Sequence, residues 1–276
     1  CYIHNSECNS LADKELSAEQ WIEIGKQARD AGVVLALITG GEPLIRKDFP
    51  LIYSSLKELG LLISINTNGS LITDEILELF KNSPPTRINV SLYGASEETY
   101  AGLCGLASYE KVLTNVKRLK DAGIQVKLNM SITPYNCKDL PEMIRIAKEL
   151  GLHHKATTYM HPQSRQDGFS IGMNPGRFTA EEGGYYKAQH DLLNLGREEF
   201  LKRADNLGKL SFDDDEDCCT DDSVGESMRC RAGTSSCWIN WKGEMTPCGM
   251  MDLFKENPFE IGFDESWKRI KENIEN

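Results

Sequence analysis

Apolar and polar residues alternate along the first 160 residues in a pattern that predicts repeated strand–helix units of about thirty residues. Short apolar runs predict strands, and segments with apolar residues at every third or fourth position predict helices. The strands are predicted at 33–39, 61–66, 86–92, 124–132 and 153–159, and the helices at 17–31, 48–59, from 73 onward, 110–122 and 139–150. This alternation favours parallel strands joined by right-handed crossovers.

Several helix boundaries have local signals of their own. Ser17 followed by Gln20 resembles a capping box, Asp48 is a candidate cap for the second helix, and Thr73 opens the third. Gly32 follows the first helix directly, and glycine in that position commonly ends a helix. These signals support the helix assignments independently of the apolar periodicity.

The predicted strands have one apolar and one polar face. In the fourth strand Lys127, Asn129 and Ser131 alternate with apolar residues, and in the third Asn89 and Ser91 do so. Parallel strands that are buried on both faces are usually apolar throughout. A closed eight-stranded barrel fills its lumen with apolar side chains, whereas a partial barrel leaves room for a polar cofactor. The sequence therefore predicts an α/β fold, a partial (β/α)6 TIM-like barrel, in preference to a sheet with one face in solvent.

The pattern changes after the last predicted strand. Residues 160–178 contain two prolines and three glycines, which is typical of a long loop, and 180–205 has helical periodicity. An acidic stretch follows, and a compact cysteine-rich segment begins near Met228. We therefore divide the chain into a barrel domain at 1–205, an acidic linker at 206–227 and a cysteine-rich segment at 228–276.

The charge composition of the chain limits the kinds of molecule that it is expected to bind. The net charge is −11, which argues against a nucleic-acid surface. Much of it lies in the acidic stretch 213–222, whose composition is typical of a solvated loop. No apolar run approaches the length of a membrane span, and no secretory signal is visible. These features predict a cytoplasmic protein that binds neither nucleic acid nor membrane.

Nine cysteines are many for a chain without an export signal. In a reducing cytosol, clustered cysteines more often hold metal or carry out redox chemistry than form disulfides. One group lies at the very start of the chain and another after residue 217. Cys104 and Cys137 are isolated, so we expect them to be ordinary core or surface residues.

The stretch Gly40-Gly41-Glu42-Pro43 directly follows the first predicted strand. The carboxyl ends of parallel strands are where α/β folds bind ligands, and glycines let a ligand approach the backbone closely. Glu42 and the backbone carbonyls beside it are suited to accept hydrogen bonds from an ammonium group. Considered alone, a tight strand-to-helix turn explains the same residues equally well.

Four motifs together resemble the radical S-adenosylmethionine (SAM) superfamily, and the resemblance covers most of the chain. The motifs are Cys1-Tyr2-Ile3, Gly40-Gly41-Glu42-Pro43, Asn66-Thr67-Asn68-Gly69 and Ser91-Leu92-Tyr93-Gly94. The resemblance implies an enzyme whose [4Fe–4S] cluster cleaves SAM reductively to a 5′-deoxyadenosyl radical, which then abstracts a hydrogen atom from a substrate.

Three cysteines spaced C-x3-C-x2-C hold the cluster in this family, and the last is often followed by an aromatic residue. Cys1 with Tyr2 matches that last cysteine. The resemblance then predicts that the other two cysteines and a strand precede residue 1. The alternative frame, from Cys1 to Cys8, has the right spacing but Asn5 in the middle.

The resemblance also implies where SAM binds. Gly40, Gly41 and Glu42, with Pro43, resemble the motif that binds the SAM amino group. Ribose or carboxylate contacts are implied for residues at the ends of the following strands: Asn66, Asn68, Ser91, Asn129 and Ser131. Tyr93 stands where the family pattern Ser-x-Asp-Gly has aspartate, which puts that aspartate's role in doubt. A structural hydrogen bond within the lumen is the alternative for each polar residue, and no catalytic residue is assigned.

The second constellation runs from Cys230 through Cys237 and Gly243 to Cys248. Its spacing is similar to the opening C-x9–15-G-x4-C of SPASM and twitch domains, which hold auxiliary iron–sulfur clusters. A hairpin with a turn at Gly243 would bring Cys230 and Cys248 together. From the spacing alone zinc is an equal competitor, and the barrel upstream favours iron–sulfur. Because the later cysteines of the pattern do not occur before Asn276, we expect the chain to be cut at both ends.

The resemblance implies a radical SAM enzyme of the SPASM/twitch subgroup that modifies a peptide or protein and receives electrons from a donor such as flavodoxin or ferredoxin. Two alternatives stay open at this point. One is a radical SAM enzyme that acts on a small molecule, such as a porphyrin precursor. The other is a non-catalytic peptide-binding or regulatory protein on a degenerate barrel.

Overall fold

The computed structural model describes residues 15–159, 176–209, 232–251 and 253–275. Five parallel strands in this part of the chain form one sheet, and their order follows the sequence. The strands are β1 (Leu35–Ile38), β2 (Leu62–Thr67), β3 (Arg87–Leu92), β4 (Val126–Ser131) and β5 (His153–Thr157). The helices that precede and connect them are α1 (Ala18–Asp30), α2 (Phe49–Glu58), α3 (Asp74–Asn82), α4 (Glu97–Cys104), α5 (Tyr109–Asp121) and α6 (Leu140–Glu149). The predicted α/β class is confirmed, with the parallel strands of a partial barrel.

Two of the three predicted helix caps are confirmed. The Ser17 hydroxyl accepts from the Gln20 N–H at 3.3 Å, and the Gln20 side chain accepts from the Ser17 N–H at 2.9 Å, which completes the capping box. Thr73 accepts a hydrogen bond from a backbone N–H in the first turn of α3. Asp48 occupies the predicted N-cap position of α2 but makes no side-chain cap, because its carboxylate binds the Arg46 guanidinium at 2.7 and 2.9 Å and accepts no bond from α2.

Two helical segments differ from the prediction. The sequence pattern does not predict α4, because only Tyr100 among its eight residues is buried and an amphipathic periodicity is absent. The single helix predicted at 180–205 is two helices, α7 (Ala180–Leu195) and α8 (Arg197–Lys209). Gly196 separates them with a φ of +80°, a conformation that glycine adopts without strain.

The helices cover one face of the sheet and bury the apolar half of the pattern in β2 to β5, whereas β1 has no fully buried residue. Burial of each large aliphatic side chain contributes about 1.5–3 kcal/mol to the free energy of unfolding. Aromatic rings of Phe49, Tyr53 and Phe80 close this core between α2 and α3. The buried apolar strand residues are Ile63, Ile65, Ile88, Val90, Leu92, Val126, Leu128, Met130 and Ala156.

The opposite face of the sheet, which we call the open face, carries the polar half of the pattern in β2 to β5 and three exposed leucines at its β1 edge, Leu35, Leu37 and Leu62. Its side chains are partly or fully exposed, apart from Asn89, which is buried. Cross-strand neighbours form two polar rows on it. The first row is Asn66, Asn89, Lys127 and His153, and the second is Ser91, Asn129 and Lys155. The polar lumen face predicted from the alternation is therefore present.

The cysteine-rich segment begins with the predicted hairpin. Strand β6 (Trp238–Ile239) pairs antiparallel with β7 (Met245–Thr246), and Gly243 in the turn has a φ of +86°. Two helices follow, α9 (Pro258–Ile261) and α10 (Phe263–Glu275). The domain boundaries stay a prediction, and most of the acidic linker lies outside the described residues.

This segment contacts the first helix of the sheet domain. Met245 and Ile270 are buried in one apolar cluster with Ala28 of α1. The Leu16 N–H donates to the Trp241 carbonyl at 3.1 Å, which joins the start of α1 to the hairpin turn. Among the described helices, none is both long and apolar enough to cross a membrane.

Two histidines join the end of the sheet to α7. The imidazole rings of His154 in β5 and His190 in α7 meet edge to face at 5.5 Å between centroids. His190 Nδ1 lies 2.9 Å from an Asp191 carboxylate oxygen, and the Nε2 atoms of both rings are buried without a hydrogen-bond partner among the described residues. Burial lowers the pKa of His154, and the neighbouring His190, Lys148 and His153 lower it further.

We expect this contact to weaken in acid. Because the folded pKa of His154 lies below its unfolded value of about 6.5, the unfolded chain binds more protons as pH falls, and folding stability decreases. Between pH 7 and pH 5 the wild-type melting temperature should fall by about 1–2 °C more than that of His154→Asn. Differential scanning calorimetry measures this, with His153→Asn, an exposed neighbour, as the matched control. Equal pH dependence in wild type and His154→Asn would contradict the assignment.

Candidate functional site

The carboxyl ends of β1 and β2 bring two of the sequence motifs together. β1 and β2 are adjacent and parallel, with Ile38 opposite Ile65. The Gly40–Glu42 loop that follows β1 therefore lies beside Thr67 and Asn68 at the end of β2. This is the edge of the sheet at which the sequence predicts a ligand.

The Glu42 carboxylate joins the two motifs. Its Oε1 accepts from the Thr67 hydroxyl at 2.8 Å and from the Leu44 N–H at 3.1 Å, and its Oε2 accepts from the Asn68 N–H at 2.6 Å. Burial raises the pKa of Glu42, and these three hydrogen bonds act in the opposite direction. Thr67 also accepts from the Gly69 N–H at 3.0 Å, so the carboxylate fixes both loops at once.

This geometry refines the role expected for Glu42. The sequence suggests a carboxylate that waits for an ammonium group, whereas the structure shows that both oxygens already accept hydrogen bonds from the protein. A carboxylate has about four acceptor positions, so capacity for a further donor remains. The ammonium contact itself stays a prediction.

The two glycines leave open space above the loop. A Cβ atom built on Gly40 or Gly41 would meet no other atom within 4 Å. Gly40 has a φ of +150°, and Pro43 begins a single 3-10 turn, Pro43–Ile45, that Glu42 caps. The loop thus presents backbone to an accessible space while its own conformation is fixed from behind. These features fit a ligand that binds through backbone carbonyls, as the SAM amino group is expected to do.

The asparagines of the second motif have separate tasks. The Asn68 side chain accepts from the N–H and the hydroxyl of Ser70, at 2.8 and 2.7 Å, and so shapes the local turn. The Asn66 side chain accepts from Asn89 at 2.8 Å and lies 3.5 Å from the Thr39 hydroxyl. For both residues the structural hydrogen bond that the sequence leaves open as an alternative is present.

Three other predicted site residues differ from these asparagines in the hydrogen bonding of their side chains. Ser91, Asn129 and Ser131 lie half-buried on the open face, and Ser91 and Asn129 are cross-strand neighbours. Within the described residues, none of their side chains makes a hydrogen bond to the protein. These side chains are therefore available to a bound polar ligand.

Sequence reasoning misses Asp139, which approaches the loop after β3. Its carboxylate accepts from the Ala95 N–H at 2.7 Å and lies beside Gly94. This is the loop in which Tyr93 replaces the aspartate of the family pattern. A carboxylate thus reaches the loop from the start of α6, a position 44 residues further along the chain that no local motif reveals.

The cysteines predicted to bind metal are only partly described. Cys237 and Cys248 flank the β6–β7 hairpin on its open end, both half-buried, and neither is in a disulfide. Burial raises the pKa of the Cys237 thiol to about 11, so metal binding would have to displace its proton. Cys1 and Cys230 lie outside the described residues, and no three metal-binding side chains cluster within the described part of the chain. Cys104 is exposed and Cys137 buried, as expected for ordinary residues.

The sequence profile of the radical SAM superfamily matches residues 1–147. The chain belongs to the radical SAM superfamily. Family membership implies a [4Fe–4S] cluster and SAM as cofactors. The residues present fit SAM. An open glycine backbone and a carboxylate with a spare acceptor position lie at the β1–β2 edge. On the open face, Ser91 of β3 and Asn129 of β4 have side chains that make no hydrogen bond to other described residues. Whether the residues of this chain also fit the [4Fe–4S] cluster depends on Cys1, which lies outside the described residues.

Similar sequences include a heme synthase and a probable cyclase. The chain is 23% identical over 98% of its length to an AdoMet-dependent heme synthase of Methanosarcina barkeri, of which it covers 78%. It is 32% identical over 59% of its length to a probable GTP 3′,8-cyclase of Saccharolobus islandicus, of which it covers 53%.

Similar solved structures include two proteins crystallised with peptides. Streptococcus suis SuiB bound to its precursor peptide SuiA matches with a TM-score of 0.66 and 20% identity over 94% of this chain and 60% of SuiB. The anSMEcpe protein with AdoMet and a peptide matches with a TM-score of 0.63 and 15% identity over 93% of this chain and 74% of that protein. At these identities the similarity shows the fold. The chain spans little more than half the length of the cyclase and of SuiB.

Proposed function

We propose that the protein is a radical SAM enzyme that abstracts a hydrogen atom from a peptide or protein substrate. The observation that carries this proposal is the Gly40–Glu42 loop. It lies at the carboxyl end of β1, presents open backbone, and is fixed by a partly buried carboxylate to the end of β2. A loop that served only as a tight turn would not need a carboxylate bonded to the end of the neighbouring strand.

The side chains have distinct tasks in this proposal. Backbone carbonyls of the glycine loop accept hydrogen bonds from the SAM ammonium group, and Glu42 holds the loop. Ser91, Asn129 and Ser131 bind ribose or carboxylate oxygens on the open face. When bound, the cofactors supply a one-electron cleavage of SAM that yields a hydrogen-abstracting species. Cys1 contributes one thiolate to the cluster, and a reductant such as flavodoxin or ferredoxin delivers the electron in the cytoplasm.

The peptide substrate rests on the structural similarity to SuiB and anSMEcpe, both of which were crystallised with peptides. A small-molecule substrate is the second candidate, because a named cyclase is the more similar in sequence, at 32% identity. The peptide and the small-molecule proposals share the same SAM site at the β1–β2 edge. They differ only in the substrate that occupies the open face.

A hydrogen-transfer assay separates these candidates. The anaerobically reconstituted protein is given SAM, dithionite and an extract of source cells grown on deuterated amino acids, divided into fractions above and below about 1 kDa. We expect deuterium in 5′-deoxyadenosine with the larger fraction. Deuterium only with the smaller fraction would contradict a peptide substrate, and no 5′-deoxyadenosine with any fraction would contradict the enzyme.

The auxiliary cluster leads to a separate prediction. We propose that Cys230, Cys237 and Cys248 ligate iron–sulfur, since two of these thiols lie at one end of the hairpin. Cys248→Ser should remove about one cluster's iron, up to four atoms per chain, after reconstitution, because a thiolate ligand is lost. Iron and sulfide analysis measures this, with the exposed Cys104→Ser as control. Unchanged iron in Cys248→Ser, or zinc in place of iron in the wild type, would contradict the assignment.

A further inference from the structure

The open face has an unusual charge. None of the five parallel strands contains an Asp or Glu, although the whole chain has a net charge of −11. The charged residues in these strands are Arg87, Lys127 and Lys155, and all three lie on the open face. The face is therefore positive in an otherwise acidic protein.

These three residues, which we call the cationic strip, follow a diagonal across β3, β4 and β5. Lys127 lies opposite Asn89, two residues beyond Arg87, and Lys155 lies opposite Asn129, two residues beyond Lys127. Diagonal neighbours on adjacent strands are roughly 8 Å apart at their Cα atoms, which is within reach of long side chains. One anionic group can thus contact two members of the strip.

The strip has no counter-ion within the described residues. Arg87 and Lys155 are exposed, Lys127 is half-buried, and none of the three makes a hydrogen bond or ion pair there. Burial lowers the pKa of Lys127, and the nearby Arg87 and Lys155 lower it further. Guanidinium groups outside the sheet are neutralised instead, as in the contacts of Arg46 with Asp48 and of Arg145 with Glu142. Three like charges that find no partner in the described ranges cost free energy that a bound anion would recover.

The cationic strip lies on the same face of the sheet as the residues proposed to bind SAM. Lys155 lies in the same row as Ser91 and Asn129, which are assigned to SAM, but at the β5 end of the sheet. The Gly40–Glu42 loop lies at the opposite end, beyond β1. An anion on the strip would therefore lie beside bound SAM rather than in its place.

We propose that the cationic strip binds a carboxylate or phosphate group of the substrate. That the anion belongs to a substrate rests on the proposed function. That an anion binds at all rests on the charges of the open face alone. It applies to a peptide with acidic side chains and to an anionic small molecule alike, because both present the same charged group to Lys127 and Lys155.

The test is equilibrium binding of two probes, tripolyphosphate and citrate, to the reconstituted full chain by isothermal titration calorimetry. We expect wild type to bind at least one probe and Lys127→Gln or Lys155→Gln to bind it about tenfold or more weakly, since each change removes a charge-assisted contact. The conservative Lys127→Arg and Lys155→Arg should retain most affinity. Lys117→Gln, on the exposed side of α5, is the matched control. The probe that binds more tightly distinguishes phosphate from carboxylate.

Two results would overturn the proposal: equal affinity in wild type and in the Lys127→Gln/Lys155→Gln double variant, or an equal loss in Lys117→Gln. Because the strip has no counter-ion in the part of the chain that the structure describes, removing its charges should not lower the melting temperature, which separates loss of binding from misfolding. SAM cleavage without substrate is measured in the same samples. Cleavage with no lysine-dependent anion binding refutes the strip and leaves the proposed function, whereas lysine-dependent binding with no cleavage supports the strip and refutes the proposed function.

Discussion

Glu42→Ala is expected to weaken SAM binding at least about hundredfold. The substitution leaves the Leu44 and Asn68 N–H groups and the Thr67 hydroxyl without their acceptor. Holding the loop in its SAM-binding conformation without these bonds costs about 1–3 kcal/mol per unsatisfied donor, and about 2.7 kcal/mol of lost binding free energy corresponds to a hundredfold change in Kd. The loop relaxes to find other partners, so its carbonyls no longer converge on the ammonium group.

Calorimetric titration of SAM under anaerobic conditions measures this effect. Glu42→Gln is the informative comparison, because it keeps the size of the side chain but presents an NH2 group to one of three donors, and it should fall between wild type and Glu42→Ala. Glu58→Ala, exposed at the end of α2, is the matched control and should bind as wild type does. Wild-type affinity in Glu42→Ala would show that the carboxylate does not organise the SAM site.

Gly69→Ala is expected to destabilise the protein by roughly 2–4 kcal/mol and to lower its melting temperature by about 5–10 °C. Gly69 has a φ of +76°, which costs an L-residue about 1–2 kcal/mol. An added Cβ would lie 2.8 Å from Cγ1 of Val90, a buried and stiff side chain, which adds an overpacking cost of about 1–3 kcal/mol. Hydrogen bonds to Thr67 and from Asn115 hold this glycine from both sides and prevent an easy shift.

A double-mutant cycle with Val90→Ala separates the two causes. If the clash contributes, the loss in Gly69→Ala/Val90→Ala is smaller than the sum of the single losses, and the backbone part remains. Because Gly69 lies next to Asn68, the single variant should also bind SAM more weakly. Gly102→Ala, where an added Cβ meets no atom and φ is ordinary, is the control. A melting temperature unchanged by Gly69→Ala would contradict the geometry of this turn.

The sequence is sufficient for the features that local patterns encode. Alternating residues such as those around Asn89 and Asn129 predict both faces of the sheet, and the Ser17–Gln20 box predicts the start of α1. The α4 helix is missed because tertiary contacts of Tyr100, rather than an amphipathic pattern, hold it in place.

The site shows where such patterns stop being informative. The sequence places Glu42 at the end of a strand, but its carboxylate bonds to Thr67 and Asn68, which lie 25 and 26 residues away, follow only from the alignment of β1 with β2. Asp139 reaches the loop after β3 in the same nonlocal way. The cationic strip likewise depends on the register of three strands, although each of its residues is visible in the sequence.

The central claim is that this chain, as a radical SAM enzyme, binds SAM at the β1–β2 edge and cleaves it with a cluster that includes Cys1. The most direct measurement is the amount of 5′-deoxyadenosine formed by the anaerobically reconstituted full-length protein with SAM and dithionite, in wild type and in Cys1→Ala. We predict product in the wild type and a loss of at least about a thousandfold in Cys1→Ala, because the cluster loses a ligand. Absence of 5′-deoxyadenosine from an iron-loaded wild type, or equal amounts in both proteins, would contradict the account.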